Sequence, residues 1–415
     1  MKKTQYDKAS PAFRALSFSK LGRVFGVIFL AMLCTYIIDR LGLSQKLESK
    51  VLEWVMTRSG PTPDIAIVEI SNAEYNDFFD GRSPLKPTKL QDLVGAIAKS
   101  GPRVIAVDID TSHPDFRDLQ LDKRWRFPII WERDTLNVAE TGKIEPTDIL
   151  GGQDPRLNSS AGIPLLLDDP EDKVTRLYTR CINIGGHLEP SFTFAAAEAY
   201  RSGSSGVNDP ATAEPCGKNG FHSEQEFFID WWPRSAWTVK AAGDVLVRSA
   251  SEKDGVQPLS CSDVGVPVRE LCGRLVLLGG TYLDVDRHFT PLGKEAGLFV
   301  LANSIQTDLD SPVRAYWKPG LLALQVIAGT ALFLILHLCN FSLRKLLLCG
   351  SLVAVVLALG FGAVTVLLFR AFREQQFVHI VLANFLPMSV AVVMFDIIEH
   401  IRGSVLPRWF ESPHI

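Results

Sequence analysis

The chain has almost no charge imbalance: 43 Lys and Arg against 46 Asp and Glu leave −3 over 415 residues. There is no basic stripe, so a nucleic-acid-binding surface is excluded. It has no zinc-knuckle spacing and no repeat of fixed period, which excludes zinc-finger and solenoid architectures. The first apolar segment is not followed by a small-x-small cleavage site. The chain reads Asp39, Arg40, Leu41, Gly42, Leu43, Ser44 there, which favours an uncleaved anchor over a signal peptide.

What is present is an uneven distribution of apolar residues. They make up 47% of the chain and the mean hydropathy is +0.14, an average over two populations. Four segments, 24–43, 318–338, 346–369 and 377–397, are long and apolar enough to read as transmembrane helices. Residues 44–317 are of mixed character and form one large domain. The tail 1–23 carries Lys2, Lys3, Lys8, Arg14, Lys20 and Arg23. Arg344 and Lys345 lie between the second and third segments, and Arg402 and Arg408 in the tail 398–415. The positive-inside rule puts these on the cytoplasmic side and the domain outside it, although Arg370 and Arg373 fall in the opposite loop. The expected location is the bacterial inner membrane, multi-pass, with both termini cytoplasmic and the domain periplasmic. The apolar segments lack the paired interruptions and internal carboxylates of a transport pathway.

The domain reads as α/β. Asp64–Ile70 and Arg103–Ile109 are Ile/Val-rich runs suited to strands buried on both faces. Between them, Leu90, Leu93, Val94 and Ile97 recur at helical spacing over 87–99. This strand–helix–strand unit predicts a mostly parallel sheet flanked by helices. Further strands are expected at 127–131, 176–184, 227–230 and 274–279. Helices are expected over 45–57, over 191–201 capped by Ser191, and over 297–308.

Several segments in this order resemble a known family. They are Pro63–Ile70, Gly101–Ile109, Pro190–Glu198, Gly273–Gly280, Asp286 followed by Thr290-Pro291-Leu292, and the helix with Gly297, Ala302, Ile305 and Gln306. Together with one apolar helix before the domain and three after it, they resemble the type-2 CHASE family of bacterial extracellular sensory domains. The resemblance implies a sensor or receptor rather than an enzyme, without a cofactor, and a homodimer by analogy. In that family the trailing helices lead into a cytoplasmic kinase or cyclase. Here about twenty residues follow the last segment, so the expected output is a separate cytoplasmic effector protein. The remaining partners are the lipid bilayer and an unidentified periplasmic ligand or protein. Two rival readings are an envelope scaffold that docks a periplasmic partner through a Trp-containing surface, and a membrane-tethered phosphatase.

Two acidic clusters follow expected strands. Asp108-Ile-Asp110-Thr-Ser-His113 places two carboxylates on one side of an extended chain, as a cation site or a turn requires. It also approximates the aspartate-x-aspartate opening of haloacid-dehalogenase-like phosphatases, with Thr281 as their second motif. Asp284-Val-Asp286-Arg-His288 follows Gly279-Gly280. In a parallel sheet both clusters lie at one edge, so Asp108, Asp110, Asp286 and His288 are expected to line one cleft, with Glu69 at its border. His113 and Asp284 complete the candidate ligand set, and the sequence does not say whether a metal binds. Four cysteines fall in the domain. In an oxidising compartment they permit two disulfides in any of three pairings; a bridge involving Cys216 and Cys261, in loops, is one expectation, with Cys181, in a strand-like run, as a buried thiol.

Overall fold

The computed structural model describes residues 56–60, 62, 64–121, 125, 127–138, 143–152, 161–168, 172–202, 216, 226–250, 261, 266–284, 286–310 and 313–314. They fall within one unit, Met56–Ala315. The four apolar segments lie outside the described residues. Among the described residues no helix is long and apolar enough to cross a membrane.

The centre is a six-stranded sheet of β1 (Ile65–Ile70), β2 (Val104–Asp108), β3 (Ile129–Glu132), β4 (Ala161–Gly162), β5 (Thr238–Ala241) and β6 (Leu275–Gly280), in the order β5-β1-β6-β2-β3-β4. Every neighbouring pair is parallel. Burial on both faces explains the unbroken apolar runs. Ile65 and Ile67 of β1 enter one layer, while Ala66, Val68 and Ile70 enter the other.

Among the described residues five helices accompany the sheet: α1 (Asn72–Asp77), α2 (Pro87–Ala98), α3 (Phe192–Ser202), α4 (Ala242–Ala250) and α5 (Gly297–Asp310). Pro87 opens α2 where a missing N–H costs nothing, and Leu90, Leu93, Val94 and Ile97 form its buried stripe. Ser71 and Glu74 close a capping box on α1. Ser191 Oγ accepts from Phe194 N at 3.2 Å, capping α3 as its sequence suggests. α2 and α4 contribute to one layer, α3 and α5 to the other.

α5 is buried without interruption from Gly297 to Asp308. Its polar side chains turn back on its own carbonyls: Asn303 to Phe299 (2.7 Å), Ser304 to Val300 (2.9 Å) and Thr307 to Asn303 (2.7 Å). Gln306 Nε2 donates to Asp64 Oδ2 (3.2 Å) and Asp310 Oδ1 (3.0 Å), while its Oε1 is buried without a partner among the described residues. A helix buried all round, with most of its polar groups bonded internally, is a stiff internal element.

A second sheet is antiparallel, with neighbours in the order 313–314, 226–228, 175–179, 166–168. The strand expected over 176–184 is two strands, Thr175–Thr179 and Cys181–Ile184. The second pairs with His187–Pro190 in a hairpin, so the chain turns at Arg180. Both ends of the unit meet one segment. Arg58 N donates to Trp231 O (2.7 Å), Trp231 N donates to Met56 O (2.9 Å), and Phe228 pairs with Val313.

Among the described residues, the tryptophans of the expected Trp-containing surface are buried except Trp125, which is partly buried. Trp131 and Trp231 are 1% exposed, Trp232 and Trp237 7%. Their rings fill the core instead, with Trp232 and Trp237 packed edge to face.

Candidate functional site

Parallel strands end on one edge, and here that edge is acidic. The register aligns Glu69 of β1 with Gly279 of β6, and Gly279 with Asp108 of β2. Val107 pairs with Trp131, so the next row sets Asp108 beside Glu132 of β3. One row across four strands therefore reads Glu69, Gly279, Asp108, Glu132. Side chains in one row share a face of the sheet, and adjacent strands are about 4.8 Å apart. The missing side chain of Gly279 lets Leu298 and Asp108 pack into the middle of the row: a Cβ there would stand 2.6 Å from Leu298 Cδ1 and 3.1 Å from Asp108 Oδ2.

Glu69 is neutralised. Arg234 Nη2 donates to both its carboxylate oxygens, at 2.9 and 2.7 Å, and the Thr281 hydroxyl donates at 2.6 Å. Asp108 and Glu132 are not. Among the described residues no hydrogen-bond donor pairs with either carboxyl. Burial, reinforced by Asp286 and partly offset by His288, pushes Asp108 up to about 7. Burial pushes Glu132 well above the usual carboxylate range, and Asp108, Asp110, Asp134 and Asp286 add to the shift. Both shifts favour the protonated, uncharged carboxyl over the carboxylate.

The loop after β6 supplies the other wall. Thr281 N donates to Ile70 O (3.0 Å) and Leu283 N to Asn72 Oδ1 (2.8 Å), tying the loop to β1 and α1. Leu283 and Asp284 both have left-handed backbones, φ 61° and 53°, a conformation that costs a residue with a Cβ about 1–2 kcal/mol. Tyr282 stacks on Tyr75 with ring centroids 4.3 Å apart, and its burial pushes the phenol up to about 12.

The Asp286 carboxylate accepts from His288 Nε2 at 3.0 Å. The other ring nitrogen faces Thr175 Oγ1 at 3.3 Å, and that hydroxyl donates to Asp168 Oδ1 at 2.5 Å. The hydrogen bond to Asp286 raises the His288 pKa; burial opposes this, and the charges of Asp286 and Asp168 add to the rise.

Of the residues expected at the site, Asp108, Asp286 and His288 act on one another. Asp110 sits at the margin, exposed, with its carboxylate accepting from Ser112 N at 2.8 Å. The chain leaves the strand after Asp108, so the two aspartates do not present themselves alike. His113 Nδ1 accepts from Asp115 N (3.2 Å) and caps the turn Pro114–Asp118. Asp284 is exposed and paired with Arg287 (2.9 Å). Among the described residues, no group of three or more His, Cys, Asp and Glu is placed to hold a metal ion. Thr281, expected as a phosphatase-like second motif, donates its hydroxyl to Glu69.

Glu132, Asp168 and Thr175 were not singled out by the sequence. For Glu132 the signal is a strand boundary. Extending the expected strand 127–131 by one residue places a carboxylate beside Asp108.

The disulfide expectation is corrected. Cys216 pairs with Cys181 and Cys261 with Cys272, at Cα–Cα distances of 5.9 and 5.6 Å, both within normal bridging range. Cys181, the first residue of a strand, is bridged to Cys216 rather than a free thiol. Cys261 is held at the turn after Arg269–Leu271, where Gly273 adopts the left-handed backbone (φ 69°) that follows Cys272.

No curated protein and no solved structure matches the chain. The profile of the CHASE2 domain does, over residues 27–338. That span is most of the 415 residues, and it includes the whole sheet and the acidic edge. The chain therefore belongs to the CHASE2 domain family, a family of sensory domains of extracellular type.

Proposed function

We propose that this protein is a membrane-anchored extracytoplasmic receptor. Its domain takes up a signal at the acidic sheet edge and relays it to a separate cytoplasmic effector. The bilayer is crossed by the four apolar segments, with the domain periplasmic, the termini cytoplasmic and two copies associating. Membership of a sensory family supports the role. The observation that carries the mechanism is α5. Its first residue, Gly297, donates its N–H to Asp286 O at 3.1 Å, at the acidic edge. Its other end is joined to the segment that holds both ends of the unit, with Asp230 N donating to Thr307 Oγ1 (2.8 Å) and Trp232 N to Asn303 Oδ1 (2.7 Å). Fourteen residues make a rod about 21 Å long. A change of charge at one end has a buried, stiff path to the other, which is what a two-state receptor requires.

The test is affinity purification of the full-length protein in mild detergent, with mass spectrometry of what accompanies it. A stoichiometric cytoplasmic kinase, cyclase or other effector supports the receptor. Envelope proteins alone overturn the relay and favour a scaffold.

A further inference from the structure

The acidic edge also constrains what the site takes up, an inference that rests on the receptor reading above. Asp108 and Glu132 end adjacent parallel strands in one row, on one face. Both carboxyls are largely enclosed by protein, and each residue keeps some solvent-accessible surface at the sheet edge. Asp110, Asp134 and Asp286 add negative charge around them. Among the described residues, the cation that acts on Asp108 is His288, whose ring is already committed to Asp286, Thr175 and Asp168. Glu69, in the same row, shows the contrast, because Arg234 serves it fully. Two enclosed carboxyls without such a partner cost folding free energy unless protons or a ligand neutralise them.

We propose that this acidic sheet edge binds a small primary amine as its ammonium ion, bridged between the carboxylates of Asp108 and Glu132. An ammonium presents three N–H donors on one compact charge and no acceptor, which suits a surface that offers acceptors only. A divalent metal is disfavoured, because no three ligating side chains converge among the described residues. Anionic and purely apolar ligands are disfavoured by the charge. Binding fixes both carboxyls as carboxylates, so the cluster releases its protons as the amine enters. The amine itself, protonated at neutral pH, releases none.

The experiment is isothermal titration of the full-length protein in detergent with putrescine, spermidine and ethanolamine at pH 7, in two buffers of different ionisation enthalpy. At least one probe is expected to bind with Kd of about 1 mM or tighter, with heats that differ between buffers by the released proton. Asp108→Asn and Glu132→Gln, close in shape to the native residues, are each expected to weaken binding at least ~10-fold. Asp77→Asn, an exposed acid on α1, is expected to leave it unchanged. No binding by any probe, binding without proton release, or binding retained in both edge variants overturns the proposal. The proton-release result comes from the wild-type chain alone and does not depend on the variants folding. A receptor for another ligand would still bring down its effector while failing all three titrations, so the two readings fail separately.

Discussion

The carboxylate of Asp286 occupies the space that a side chain on Gly297 would need. A Cβ at that position would stand 1.7 Å from Asp286 Oδ2. Elsewhere in a helix, glycine-to-alanine is stabilising by about 1 kcal/mol. Here the obstacle is the tip of a flexible side chain that is 56% exposed, so it swings aside at a cost that offsets that gain. Gly297→Ala is therefore expected to change stability by less than about 1 kcal/mol. It also moves Asp286 away from His288, so the His288 pKa falls toward its ordinary value. Denaturant melts and NMR titration of the His288 ring check both effects. A variant whose stability shifts by more than that, with unchanged His288 titration, would contradict this packing.

Stability should decline as pH rises from 5 to 8. Asp108 titrates at about 7 in the folded chain against an ordinary value of 3.8, and Glu132 and His288 are also raised. In that window the folded state binds more protons than the unfolded one, so unfolding free energy falls with pH. The contribution is complete below the unfolded pKa of each group and is lost as pH passes through its folded value. Asp172 and Glu270, lowered by Arg176 and Lys240, act in the opposite sense but only at acid pH. Asp108→Asn should flatten the profile and be more stable than wild type at pH 8. Thermal melts at matched ionic strength measure it, and a steeper profile in the variant would contradict the assignment.

Asp308 is expected to be the most costly single carboxylate to remove. Its side chain is fully buried, and it accepts from Tyr178 Oη (2.8 Å), Arg180 Nε (2.7 Å) and Arg201 Nη2 (2.7 Å). Arg180 also lies over the rings of Phe194 and Phe227, at 5.2 and 4.8 Å. Removing one partner of a buried ion pair costs about 3–5 kcal/mol because the other charges stay buried. Asp308→Ala should lose that much in a denaturant titration. Asp284→Ala, an exposed acid paired with Arg287, should lose less than about 1 kcal/mol.

The two disulfides should differ in value. They span sequence separations of 35 and 11 residues. Loop-closure entropy makes the longer one more stabilising by about 1 kcal/mol. Denaturant titrations of Cys181→Ser/Cys216→Ser and Cys261→Ser/Cys272→Ser pairs measure the difference, and non-reducing peptide mapping reads the connectivity.

The parallel core was legible because burial on both faces writes itself as unbroken runs. β1, β2, α2, β6 and α5 fall within a residue or two of the ranges their patterns indicate. β5 was not foreseen. All four of its residues are only partly buried, and an edge strand reading Thr-Val-Lys-Ala shows no strong pattern. The break at Arg180 was missed because an arginine buried against two phenylalanine rings reads locally like a strand continuing. At the site, Asp108, Asp286 and His288 were legible as polar residues following buried strands. Glu132 was not, because its role comes from the register with a strand distant in sequence. The cysteine pairing was hidden for a similar reason, since loop composition says nothing about which strand lies within about 6 Å.

In the proposed relay, the charge state of the acidic edge is felt at the far end of α5. Hydrogen exchange of the full-length protein at pH 8, wild type against the Asp108→Asn/Glu132→Gln double variant, tests it most directly. The account predicts altered protection at Asn303–Asp310 and Glu226–Trp231 as well as at the ends of β2 and β3. Changes confined to the strand ends, with the far end of α5 untouched, would contradict it.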